Sequence, residues 1–131
     1  MLVGAKKDSV DLMTSKSAYA IVGRVCAMMR RGQARNFSVV REALGHDDAL
    51  FGFKRAYNAA ALALCLKTAG CWPGNQARGL IKHQSTIFLF DSDAVCVAAI
   101  AGRNFLIALR RAAASAVSTR HLAPQGRASL A

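Results

Sequence analysis

The sequence predicts an α+β fold: an N-terminal helical half of about three helices (residues 1–70), a small antiparallel β-meander within 85–110, and a flexible basic tail (119–131). Three observations carry this expectation. Apolar residues from Ser17 to Leu64 recur mostly every three or four positions, the spacing of one helix face. β-Branched and aromatic residues then crowd into "STIFLFDSDAVCVAAIAGRNFLIAL", where "DSD" and "AGRN" read as turns. Finally, "STRHLAPQGRASLA" is polar and carries Pro124 and Gly126. Residues 1–118 are accordingly expected to form one compact domain.

In the first helix, Tyr19, Ile21, Val22, Val25, Cys26, Met28 and Met29 form the apolar stripe. Gly32 is expected to close it by taking the left-handed conformation, and Arg30 and Arg31 suit its negative end. A short second helix is expected from Asn36 or Ser38 to Leu44. Asp47 and Asp48 then suit the start of a third, which carries Leu50, Phe53, Tyr57, Ala60, Ala61 and Leu64 on one side and ends near Gly70. "CWPGNQARG" is a turn built on Pro73-Gly74. After it come the three short apolar runs of the meander; the alternative for the later ones is a helix from Asp93 to about Thr119.

Charge points to a class of partner. Eighteen Lys and Arg face seven Asp and Glu, a formal net charge of +11. Arg24, Arg30, Arg31, Arg35 and Arg41 fall in eighteen residues without an acid, and no acid follows Val95. Such blocks suit a polyanion, with each phosphate contact releasing counterions.

The segment "REALGHDDALFGFKRAYN" resembles a helix-turn-helix in its order of short helix, glycine turn and second helix. Lys54, Arg55 and Asn58 would lie on the exposed side of that second helix, where Arg suits guanine edges and Asn suits adenine. Arg103, on a turn of the meander, would meet a phosphate as the tip of a wing. The expected function is therefore that of a small, non-enzymatic nucleic-acid-binding protein, a regulator acting on duplex DNA. The alternative is an adaptor or inhibitor that docks on an acidic protein surface. The small side chains of "NAAALALCL" would also let two helices approach closely, which allows a homodimer.

Other chemistry finds little support. The sequence contains no GxSxG, HExxH or GxxxxGK[ST], and implies no cofactor. "IFLFDSDA" resembles the first motif of haloacid-dehalogenase-type phosphatases, with Asp91 as nucleophile and Asp93 as acid. Ala94 breaks that pattern and about forty residues follow it, so Asp91-Ser92-Asp93 reads as a turn. Cys26, Cys65, Cys71 and Cys96 have no CxxC spacing, and His46, His83 and His121 are scattered, so buried reduced thiols are expected rather than a metal site. Charges interrupt the best membrane candidate, Ile87 to Leu109, and no secretory signal opens the chain. These features suit a cytoplasmic protein.

Overall fold

The computed structural model describes residues 2–4, 13–102, 104–124 and 126. Its centre is a seven-stranded sheet: β1 (Leu2–Gly4), β2 (Ala34–Asn36), β3 (Val40–Ala43), β4 (Leu50–Asn58), β5 (Ala63–Cys71), β6 (His83–Asp91) and β7 (Val97–Gly102). Two helices accompany it, α1 (Ser15–Arg30) and α2 (Asn104–Leu122), with short 3-10 turns at Ala59–Ala61 and Pro73–Arg78. The strand order is β1-β7-β6-β5-β4-β2, with β3 also paired to β4. β1 runs parallel to β7; the other pairs are antiparallel.

Helix α1 occupies the segment where the apolar stripe predicts one. Thr14 caps it: its hydroxyl accepts from the Ser17 amide at 3.1 Å, and the Ser17 hydroxyl accepts from the Thr14 amide at 3.0 Å. At the other end, Gln33 N–H donates to the Met28 carbonyl at 2.9 Å and Gly32 N–H to the Met29 carbonyl at 3.1 Å. This closure needs a left-handed residue, which Gly32 supplies at φ 71°. Thr14→Ala is expected to cost about 1 kcal/mol, read as a lower urea midpoint with an unchanged slope. A midpoint equal to wild type would show that the cap contributes nothing.

The expected helical half does not form. Residues 40–43 and 50–71 are mainly strands, so the second and third helices and the helix-turn-helix are corrected. The period of two decides between the alternatives. In β4, Phe51, Phe53, Arg55 and Tyr57 fall on one face and Leu50, Gly52, Lys54, Ala56 and Asn58 on the other, and nine consecutive residues pair with β5. Alanine supports a helix only weakly against two full ladders of backbone hydrogen bonds. "GHDD" is a hairpin turn rather than a helix start. Gly45, Asp47 and Asp48 all have positive φ, which Gly and Asp tolerate, and the Leu44 amide donates to the Ala49 carbonyl at 2.9 Å.

The meander is also corrected. Its first two runs are β6 and β7, joined by the turn at Asp91-Ser92-Asp93, but its third run opens α2. Residues 119–122 belong to that helix, while Arg103 and residues 127–131 lie outside the described residues. The small side chains meant to bring two helices together stand instead in a 3-10 turn and in β5.

Both helices serve one side of the sheet. They pack on each other, with Val117 in reach of Gly23 and the Arg120 guanidinium donating to the Tyr19 hydroxyl at 3.3 Å. The Asn58 amide reaches the Met28 sulfur at 3.8 Å, and Ile107, Arg110 and Arg111 lean towards Lys54 and Lys67. The buried apolar side chains among the described residues are small: Ala18, Ala49 and Ala113. The thiols differ from expectation too, since Cys26 and Cys96 are exposed and Cys65 and Cys71 only half-buried. No helix among the described residues is long and apolar enough to cross a membrane.

Candidate active site

Strand register builds one wall of a cavity. Lys54 stands directly opposite Lys67 across β4 and β5, on the same face as Ala69 and Ser85. Like charges directly opposite one another in a sheet destabilise it. On the outer side of β4, Arg41 stands opposite Gly52 and shares that face. From α2, Ile107, Arg110 and Arg111 approach at spacings of three and four, so one helix face serves the site.

These residues line a cavity of about 630 Å³, within the usual size for a small-molecule site. Arg41, Lys54, Lys67, Arg110 and Arg111 all reach it, together with His83, and none of its described lining residues is acidic. Lys67 is half-buried whereas Lys54, Arg41, Arg110 and Arg111 are exposed. Five cations share one concave wall, and a carboxylate can accept from a guanidinium fork and an ammonium together.

Gly52 makes this arrangement sterically possible. A Cβ there would stand 2.2 Å from the Val40 carbonyl oxygen and 2.9 Å from the Arg41 Cα. Only a residue without a side chain lets β3 pass so close, and β3 carries Arg41.

The sequence-predicted residues among those described divide among four places. Arg41 and Lys54 reach the cavity. Arg35 and Arg55 belong to the opposite face, the Arg35 guanidinium lying 5.2 Å from the Phe37 ring centre and that of Arg55 lying 5.6 Å from Phe37 and 5.7 Å from Phe53. Cation–π attraction holds both over aromatic rings. Arg24, Arg30 and Arg31 are exposed at α1, where Arg31 donates from Nε to the Ala27 carbonyl at 3.2 Å. Asn58 caps the first 3-10 turn, its Oδ1 accepting from the Ala61 amide at 3.2 Å. The set is therefore not a single surface.

Lys67 escaped the sequence reading, in which Arg110 and Arg111 counted only towards the acid-free basic region after Val95 and not as site residues. The available signal was Lys67 itself, a single cation in the apolar run from Ala59 to Leu66 and on to Cys71. A helix reading makes it one more solvated lysine; a strand reading places it on a half-buried face. Asp91 and Asp93 show no catalytic geometry. The Asp91 carboxylate accepts from the amides of Asp93 at 2.9 Å and Ala94 at 3.0 Å, closing the β6–β7 turn. The Ala94 amide first, and then that of Asp93, holds this exposed carboxyl below the usual aspartate range. Ser92 secures the turn by donating to the Leu62 carbonyl. At Cys65, burial pushes the thiol above its ordinary value, which disfavours the thiolate.

Residues 7–131 match the model of the ornithine cyclodeaminase/mu-crystallin family. The chain belongs to that family. It is 56% identical over 126 residues, 96% of its length, to iminosuccinate reductase of Paracoccus denitrificans (strain Pd 1222), and 35% identical over 75 residues to the ketimine reductase mu-crystallin of Rattus norvegicus. The crystal structure of the Paracoccus denitrificans enzyme in complex with NAD+ superposes with a TM-score of 0.91 over 96% of this chain. The Δ1-pyrroline-2-carboxylate reductase of Thermococcus litoralis, solved with NADH and L-proline, gives a TM-score of 0.88 at 25% identity over 95% of this chain.

The chain spans 39% of the length of the Paracoccus relative, 24% of the rat one and 39% of the Thermococcus chain. These family members are enzymes that act on small molecules. The expectation of a non-enzymatic DNA-binding regulator, its adaptor alternative, and the nucleic-acid or acidic-protein partner are all overturned. The physical reason lies in the fold: the segment that was to enter a major groove as a helix is β4, paired along its length in the sheet.

Proposed function

We propose that this chain builds the carboxylate-recognising pocket of an NAD-dependent reductase of imino acids, of the iminosuccinate reductase kind. The observation that supports it most is the cavity with five cations and no acidic wall. Arg41 and Arg110 approach from different elements, so a carboxylate between them would be gripped from two sides and its carbon skeleton oriented. Lys67 would hold the same group from the floor of the sheet, where it is half-buried. Fixing the carboxylate in this way also fixes the neighbouring imine carbon, which is the centre to be reduced.

The residues described do not fit the dinucleotide itself. No two glycines in the chain are separated by a single residue, so the GxGxxG cradle for a pyrophosphate is absent from the sequence. The described sheet is antiparallel outside the β1–β7 pair and presents no strand–turn–helix crossover between adjacent parallel strands. What this chain contributes is therefore binding and orientation of the substrate acid.

Calorimetric titration of the chain with succinate tests the reading. Arg110→Ala and Arg41→Ala are each expected to weaken binding by roughly tenfold, the value of one charge-assisted contact. Added salt should weaken binding in wild type more than in either variant. Affinities unchanged in both variants would place the anion elsewhere and end the proposal.

A further inference from the structure

We propose that Cys71 is a site of covalent modification by unsaturated carboxylates, an inference that rests on the anion-binding reading of the cavity above. Of the four cysteines, Cys71 is the one that lines that cavity, and it is half-buried there. Cys26 and Cys96 are exposed outside it, and Cys65 stands opposite Leu89, with burial disfavouring its thiolate. Cys71 instead stands opposite His83 on β6, which lines the same cavity. At the next rung the Trp72 amide donates to the Lys82 carbonyl at 2.9 Å, so that rung is hydrogen-bonded. Bonded and open rungs alternate in an antiparallel pair. Cys71–His83 is therefore an open rung, with Cα atoms about 4.5 Å apart and side chains at their closest.

A thiol beside an imidazole is the arrangement that activates sulfur as a nucleophile, with the imidazole taking the proton. The cavity adds a choice of electrophile. Arg41, Lys54, Arg110 and Arg111 line it, none of its described lining residues is acidic, and a wall of one sign raises the local concentration of anions. An unsaturated acid drawn in there brings its alkene carbons to the sulfur. The His83 imidazole accepts the thiol proton while the sulfur forms a bond to one alkene carbon. The electron pair of the double bond moves to the other carbon, beside a carboxyl group, and that carbon takes the proton back from the imidazolium. The sum is addition of S–H across C=C, with no leaving group and no oxidant. The adduct tethers a carboxylate inside the cavity and so blocks the anion site that attracted it.

The experiment treats the chain with monoethyl fumarate, an anion, or with diethyl fumarate, the neutral diester, and follows each cysteine by peptide mass spectrometry. The ratio of the anionic to the neutral rate is expected to be roughly tenfold higher at Cys71 than at Cys96, and to fall with added salt. Succinate should protect Cys71 and leave Cys96 unaffected, and the modified chain should no longer bind succinate in calorimetry. His83→Gln should slow modification of Cys71 by both reagents roughly tenfold or more, since a positioned base contributes at least that. Far-ultraviolet circular dichroism confirms that the variant keeps the fold. Equal rate ratios at Cys71 and Cys96, or wild-type reactivity of Cys71 in His83→Gln, would overturn the proposal. If Arg110→Ala still weakens succinate in that case, the pocket reading survives. Unchanged succinate affinity in both Arg110→Ala and Arg41→Ala would instead remove the pocket reading, and this proposal with it.

Discussion

Replacing Gly52 by valine is expected to detach β3 from the sheet and to remove succinate binding with it. The obstacle is backbone, not a side chain that can turn aside. The first added carbon already falls 2.2 Å from the Val40 carbonyl oxygen and 2.9 Å from the Arg41 Cα, and valine branches beyond it. Relief requires β3 to move, which breaks the pairing of Val40 with Phe53 and of Arg41 with Gly52. Over-packing ordinarily costs about 1–3 kcal/mol, and a rigid neighbour puts this case at about 3 kcal/mol or above. Arg41 leaves the cavity wall with the strand, so stability and affinity fall together. Gly74→Ala is the matched control: its nearest neighbour would be Asp47 Oδ2 at 3.9 Å, an ordinary contact. Urea unfolding and calorimetry of both variants provide the measurement. A Gly52→Val protein with wild-type midpoint and affinity would show that β3 does not depend on this close approach.

Gly70→Ala should produce the second large effect, with a different signature. Here the added carbon would stand 2.0 Å from Cζ3 and 2.9 Å from Cε3 of Trp72. Gly70 is buried, and the indole lies over it as a lid. The backbone at Trp72 is tied to the far side of its turn, the amide donating to the Lys82 carbonyl at 2.9 Å. The ring must therefore swing while its Cα stays. A side chain yields more readily than a backbone, so the expected cost is about 2 kcal/mol, below that for Gly52. The chain holds one tryptophan, which makes the displacement directly visible. Intrinsic fluorescence should shift to the red in the folded variant, and the urea midpoint should fall. An unshifted spectrum would mean that the ring does not rest on Gly70 in solution.

Both predictions concern glycines that the sequence alone presents as helix or turn residues. Gly52 lies in the middle of a segment whose Phe53, Tyr57, Ala60 and Leu64 mimic a helical stripe. Gly70 reads as the stop of that helix. In the sheet they are points of close approach, one to a neighbouring strand and one to an aromatic ring. The alternation Phe51, Phe53, Tyr57 on one face was present throughout, but Ala-rich residues 59–64 carry no clear period and tipped the reading to helix. The second half illustrates the same ambiguity. Ile87–Phe90 and Val97–Ile100 pair as strands, whereas "NFLIAL", equally apolar, enters α2.

Candidate site residues fared unevenly for a related reason. Arg41 was singled out as a cation in acid-free sequence and Lys54 as one on the exposed side of the expected second helix, and both reach the cavity. Arg35 belongs to the same acid-free block and Arg55 to the same expected helix, yet they lie over Phe37 and Phe53 on the other face. Nothing in local composition separates the two pairs. Parity along β4 does, since Lys54 and Arg55 are adjacent and must point to opposite sides of a strand.

By itself the sequence determined the local features: the stripe of α1, its closure at Gly32, the turn at Asp91-Ser92-Asp93, and an excess of positive charge. Those depend on neighbours a few residues apart, which any fold preserves. Tertiary structure alone decided that residues 40–71 run as strands and that Arg41, Lys54, Lys67, Arg110 and Arg111 converge on one cavity. Convergence over seventy positions follows from strand register and from where α2 settles on the sheet. Those are set by long-range pairing and packing, which local composition does not encode.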